Sequence, residues 1–172
     1  MKKIIAVLLI AVMLVPSIEG QAKTKVPEVT FEEQVTNMVQ QHKAMTTQLI
    51  KMWEFVQKEI KLLAEVIYHE NWHTDKERLA AYYTGAVVMN RVKSDKWPNT
   101  VEAVLYQKNP RQYSTTDKFF TTEIPEECYE MARDIYLHGT PDVPENVIYQ
   151  ATFKQGKGDW IPPINGEHFC FG

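Results

Sequence analysis

The stretch with the densest chemistry is His69-Glu70-Asn71-Trp72-His73, where an apolar helical pattern ends among ionisable and aromatic side chains. Leu63, Val66, Ile67 and Glu70 recur at steps of three and four, so on a helix the carboxyl continues the apolar stripe instead of facing water. Desolvation favours the protonated carboxyl, and a carboxyl holding its proton near neutral pH suits general acid work. The same five residues spell H-E-x-x-H, in which two histidines one helical turn apart bind zinc and the glutamate acts as base. Such a site needs a third protein ligand. A thermolysin-like arrangement takes it from a later helix, and the segment resembling that helix, Asn90-Arg91-Val92-Lys93, carries a cation where the ligand is required. The acid reading is the stronger one, with zinc peptidase chemistry as its alternative.

The elements that must position Glu70 follow from periodicity. Phe31, Val35, Met38, His42, Met45, Leu49, Met52 and Val56 form a heptad seam, and the same phase continues through Glu59, Leu63 and Val66 to Glu70. Val39, Trp53, Ile60 and Ile67 widen the stripe, which favours a helix packed on its own domain over self-association through residues 31–60. At about 1.5 Å per residue, a helix from Phe31 to Glu70 would span about 60 Å. That exceeds the width of a domain this size, so the pattern predicts a break between Trp53 and Leu62 or a protruding arm.

A second helix is predicted over residues 77–92, with Asp75 as a cap and Gly85-Ala86 allowing close approach by another helix. Trp97-Pro98-Asn99 interrupts, and Thr100 caps a short helix through Leu105. A loop opening at Asn109-Pro110 holds Gln112-Tyr113-Ser114. Pro125-Glu126-Glu127 starts a further helix that Gly139 stops. Residues 147–153 and 168–171 read as a small antiparallel pair. The expected class is α+β, mainly α, with a long N-terminal helix and a small β element near the C-terminus.

The formal charge of -3 and the pI near 6.0 give no electrostatic footprint for nucleic acid. Met1-Lys2-Lys3, an apolar run from Ile4 to Val15, and small residues at Gly20 and Ala22 have the order of a secretory signal peptide over residues 1–22. Residues 23–61 read as linker and helical arm, and residues 62–172 as the functional domain. Outside the cytoplasm, Cys128 and Cys170 are permitted to pair, although spacing does not decide it. Two isolated cysteines exclude a four-cysteine zinc site.

Leu63-Ala64-x-Val66-Ile67-Tyr68-x-Glu70, then residues 85–94, then Trp97-Pro98-Asn99-Thr100-Val101 with Val104-Leu105-Tyr106-Gln107, resemble the spore cortex-lytic enzyme family of bacterial cell wall hydrolases. Gln112-Tyr113-Ser114, Pro125 with Ala132, Gly139 and the closing Gly166-x-His168-Phe169-Cys170 match later motifs in order. The resemblance implies a lysozyme-like, mostly helical fold that cleaves the bond between N-acetylmuramic acid and N-acetylglucosamine in peptidoglycan. It maps the catalytic glutamate onto Glu70 and requires no cofactor or metal. Similarity to lytic transglycosylases implies one glutamate serving as acid and then as base, with the muramoyl 6-hydroxyl closing a 1,6-anhydro product. A second carboxylate that orients water would give hydrolysis instead, and Asp75 and Glu77 are the candidates for it. Gln112, Tyr113, Ser114, Trp72 and His168 are candidates for contact with sugar, and Asn90 and Arg91 for a buried polar anchor between helices. A non-catalytic cell wall binding or assembly protein that recruits a partner through the helical arm is the alternative of a different class.

Overall fold

The computed structural model describes residues 30–108 and 111–172. The expected signal peptide, the start of the linker and the loop opening at Asn109-Pro110 lie outside the described residues. The described chain is mainly helical with a two-stranded antiparallel sheet near its C-terminus, as the sequence predicts. Its elements are α1 (Phe31–Asn71), α2 (Leu79–Lys93), α3 (Val101–Leu105), a 3-10 turn (Ser114–Lys118), α4 (Glu126–His138), β1 (Val147–Ala151) and β2 (His168–Phe171). Contacts divide the chain into one unit ending at Ala44 and a second, Met45–Gly172.

In the first unit α1 opens on a capping box. The Thr30 backbone N–H donates to Glu33 Oε2 at 2.9 Å, and the Glu33 N–H donates back to Thr30 Oγ1 at 3.3 Å. All the described residues of this unit are exposed.

In the second unit the expected break between Trp53 and Leu62 does not occur, because nothing there interrupts the backbone ladder: no proline or glycine stands in the segment. Residues 45–55 are exposed, so this part of the stripe is not packed on a core, contrary to the favoured expectation. The environment changes at Val56, and Leu62, Leu63, Ala64, Val66 and Ile67 are fully buried. Each large aliphatic side chain buried there stabilises the fold by about 1.5–3 kcal/mol.

Helix α2 is apolar nearly all round because it separates two cores. Ala81, Val88 and Met89 pack with α1, α3 and α4, while Ala80, Ala86 and Val87 pack with Val143, Val147 and Phe169 at the sheet. A Cβ at Gly85 would lie 2.7 Å from Ile135 Cδ1 and 2.9 Å from Ile67 Cδ1, so its bare backbone admits α4 and α1 together. The helix starts at Leu79, later than predicted, after Arg78 in the left-handed region at φ 60°. Asp75 still caps it, accepting the Leu79 N–H at 2.8 Å.

Glu59 has an unexpected position: it is 2% exposed and accepts from the N–H groups of Val101 (2.6 Å) and Glu102 (3.1 Å). With Thr100 Oγ1 accepting from Ala103 at 3.1 Å, it satisfies the first turn of α3. The sheet pairs Gln150 with Phe169 and Ala151 with His168, and β1 ends at Ala151, short of the predicted Phe153.

Candidate active site

Glu70 stands in the last turn of α1, where the buried stripe meets the surface. The Thr115 hydroxyl, in the 3-10 turn, donates to Glu70 Oε1 at 2.5 Å. Burial raises the Glu70 carboxyl above its ordinary range. The Thr115 hydrogen bond and the charges of His69 and Lys118 oppose that shift without cancelling it. One wall of a cleft of about 460 Å³ is Glu70; residues 111–113, residues 150–153 with Gln155, and Glu167 complete the lining. The walls are therefore two carboxyls, three amides, a guanidinium and the edge of β1, a polar trough with hydrogen-bonding groups on several sides.

Of the residues that the sequence nominated for sugar contact, Gln112 and Tyr113 line this cleft with Glu70, and Ser114, Trp72 and His168 do not. Trp72 is buried at 6% exposure with the Arg78 guanidinium 4.6 Å from its ring, so its face is covered. Arg78 also donates to the backbone carbonyls of Trp72 and Asp75, which closes the loop between α1 and α2. His168 Nδ1 is 2.8 Å from Asp159 Oδ1. The Ser114 carbonyl accepts from Arg111 Nη2 at 3.0 Å.

Asn90 and Arg91 are buried, but they anchor the sheet and not a helix pair. Asn90 Nδ2 donates to the carbonyls of Pro144 (2.9 Å) and Val147 (3.0 Å), and Arg91 Nε donates to that of Ile148 (2.7 Å). The Arg91 guanidinium lies 4.5 Å from the Trp97 ring and 5.3 Å from that of Tyr113, so it supports both β1 and the cleft floor from below.

The two candidates for a second acid are placed elsewhere. Asp75 is occupied in capping α2, and Glu77 is an exposed residue of the preceding turn; neither lines the cleft. The second carboxyl in the cleft is Glu167, which the sequence did not single out. Burial and the charge of Glu70 raise it, against a hydrogen bond from the Gln150 side chain and the charge of His168. Its signal was present: Asn165-Gly166 (φ 51° and 86°) is the two-residue turn that reverses a hairpin, and Glu167 is the first residue after it.

His69 is packed near the Phe119 ring (5.9 Å) and edge-on to Tyr68 (5.1 Å), with Nε2 3.3 Å from Glu65 Oε2. His73 is exposed against the other contact of Tyr68. Among the described residues no three His, Cys, Asp or Glu side chains are grouped to hold a metal ion. Cys128 and Cys170 are separate buried thiols, and burial pushes Cys128 up to about 12, far from a thiolate nucleophile.

The model of the cell wall hydrolase family matches residues 75–168, more than half of the chain. The chain belongs to this family. Three walls of the cleft, with Gln112, Tyr113, Gln150 and Glu167, fall inside the span that matches the cell wall hydrolases. Glu70 lies just before that span and lines the same cleft. No curated protein and no solved structure shows significant similarity to the chain.

Proposed function

We propose that this cell wall hydrolase is a peptidoglycan glycosidase that cleaves between N-acetylmuramic acid and N-acetylglucosamine, with Glu70 as general acid. The observation that carries the proposal is a carboxyl held at a helix end, raised by burial, and opening on a cleft lined by amides and a guanidinium. Such walls fit the hydroxyls and acetamido groups of a glycan strand. In the reaction the Glu70 carboxyl gives its proton to the bridging oxygen while the C1–O bond of the muramoyl residue breaks, and the developing cation at C1 is then captured. The Thr115 hydroxyl fixes the rotamer of the acid.

Purified peptidoglycan digested by wild type and by Glu70→Gln tests this reading. The amide keeps the size of the side chain and removes the proton, so release of soluble fragments falls by about 10²–10⁴-fold while the circular dichroism is unchanged. Wild-type turnover by the variant would remove Glu70 from the mechanism.

A second reading concerns the arm. Within Met45–Gly172, Met45, Leu49, Met52 and Trp53 are each at least half exposed, and they share the heptad seam or its flank. An apolar stripe of that kind serves a second copy of the same helix, as the alternative of helix-mediated association requires.

A further inference from the structure

We infer that Glu167 is the second catalytic carboxyl of the cleft, the base that takes a proton from the water attacking C1, so that the products carry reducing ends. The inference rests on the assignment of Glu70 as the acid. Its ground is placement. Glu167 and Glu70 line the same cleft, although they come from opposite ends of the domain sequence.

Glu167 is rigidly held. Its N–H donates to the Ile164 carbonyl at 2.9 Å and its own carbonyl accepts from the Ile164 N–H at 3.0 Å, which closes the Asn165-Gly166 turn. Asn165 Nδ2 donates to the Thr74 carbonyl, and the Thr74 hydroxyl donates to the Asn71 carbonyl at 2.8 Å, so the turn is tied to the end of the helix that bears Glu70. The Glu167 Oε2 atom is buried without a hydrogen-bond partner. The group thus keeps acceptor capacity that neither the turn nor the sheet uses.

The charge of Glu70 adds to burial in raising the Glu167 carboxyl, so the Glu167 carboxyl responds to the other acid of the cleft. In the proposed step one carboxyl acts as acid and the other as base. Glu70 gives its proton to the leaving O4 of N-acetylglucosamine as the C1–O4 electron pair moves to that oxygen. A water oxygen bonds to C1 and loses a proton to the Glu167 carboxylate. Exchange with solvent returns one proton to Glu70 and removes one from Glu167, so the net change is the addition of one water across the glycosidic bond. No 6-hydroxyl closure is needed.

Mass spectrometry of exhaustive peptidoglycan digests by the full protein reads the outcome. Wild type is expected to leave reducing ends; 1,6-anhydro ends would overturn the inference, whatever any variant does. Glu167→Gln, checked for wild-type melting, is expected to lose about 10²-fold or more in rate and the acidic limb of its pH profile, because the base must be ionised. A wild-type rate in that variant would overturn it. In Glu167→Ala, sodium azide should restore cleavage and leave glycosyl azide ends: the C1–N bond forms as the C1–O4 bond breaks, and Glu70 still protonates O4. A correctly folded Ala variant that azide does not restore also counts against the role. Failure of the underlying assignment reads differently, since an active Glu70→Gln removes the acid itself, while an inactive Glu70→Gln beside an unaffected Glu167→Gln removes Glu167 alone.

Discussion

Glu70, the proposed general acid, carries opposed influences. Burial favours the neutral carboxyl, while the Thr115 hydroxyl favours the ionised one by donating to it. Thr115→Val keeps the volume and removes that donor, so the Glu70 carboxyl is expected to rise further. If Glu70 is the general acid proposed above, it works only when protonated, so activity is present below its folded pKa and lost as pH rises through it. The alkaline limb of the rate profile of Thr115→Val therefore moves to higher pH, and a limb that stays in place would show that the hydroxyl does not act on the acid. The stability consequence has the same origin. A carboxyl with a raised folded pKa binds its proton more tightly in the native state, so it favours folding at low pH and opposes it as pH rises past the unfolded value. At residue scale Glu70 was legible in the sequence, because its phase on the stripe foretold its partial burial. Thr115 was not, since nothing in Ser114-Thr115-Thr116 distinguishes the hydroxyl that reaches a helix 45 positions earlier.

At the scale of elements, the site depends on short pieces held by groups from distant helices. Helix α3 has five residues, too few to be stable alone, and the buried Glu59 carboxylate accepts two of its first-turn N–H groups. Glu59→Ala leaves those donors buried and is expected to cost about 1–3 kcal/mol, read as a lower midpoint in urea denaturation with an unchanged slope. Helices α2 and α4 were readable from Pro125, Gly139 and the apolar run 85–92, because caps and periodicity are local properties. The boundary at Leu79 was less so. The left-handed Arg78 is stabilised by its own long-range work, covering Trp72 and donating to two carbonyls. Asn90-Arg91 was recognised as a buried anchor, but its partner proved to be the strand and its approach loop, which no spacing within α2 reveals.

At the scale of the whole molecule, α1 has two characters along one stripe. Its C-terminal turns are core, and within Met45–Gly172 the turns before Val56 expose Met45, Leu49, Met52, Trp53 and Phe55. If this seam serves a second copy, the wild-type protein sediments with a concentration-dependent mass, and Met45→Asp with Leu49→Asp returns it to the monomer without loss of glycan cleavage. A wild-type monomer at all concentrations would remove the association. Periodicity could not tell these two uses of a stripe apart, since an apolar seam looks alike whether its cover is the same chain or another.

The sequence by itself determined the class of elements, the cell wall hydrolase resemblance and the position of Glu70, because these depend on order and on local spacing. The tertiary structure decided which side chains share the cleft. Glu167 is remote from Glu70 in the chain yet lines the same cleft, with the Asn165-Gly166 turn bonded to the loop after α1, whereas Asp75 and Glu77, close in sequence, are spent on a cap and a surface turn. Proximity along the chain misled where a helix end redirects it. His69 lies on α1 while His73 stands in the turn after the helix ends at Asn71, and their neighbours, Glu65, Tyr68 and Phe119, are chosen by packing.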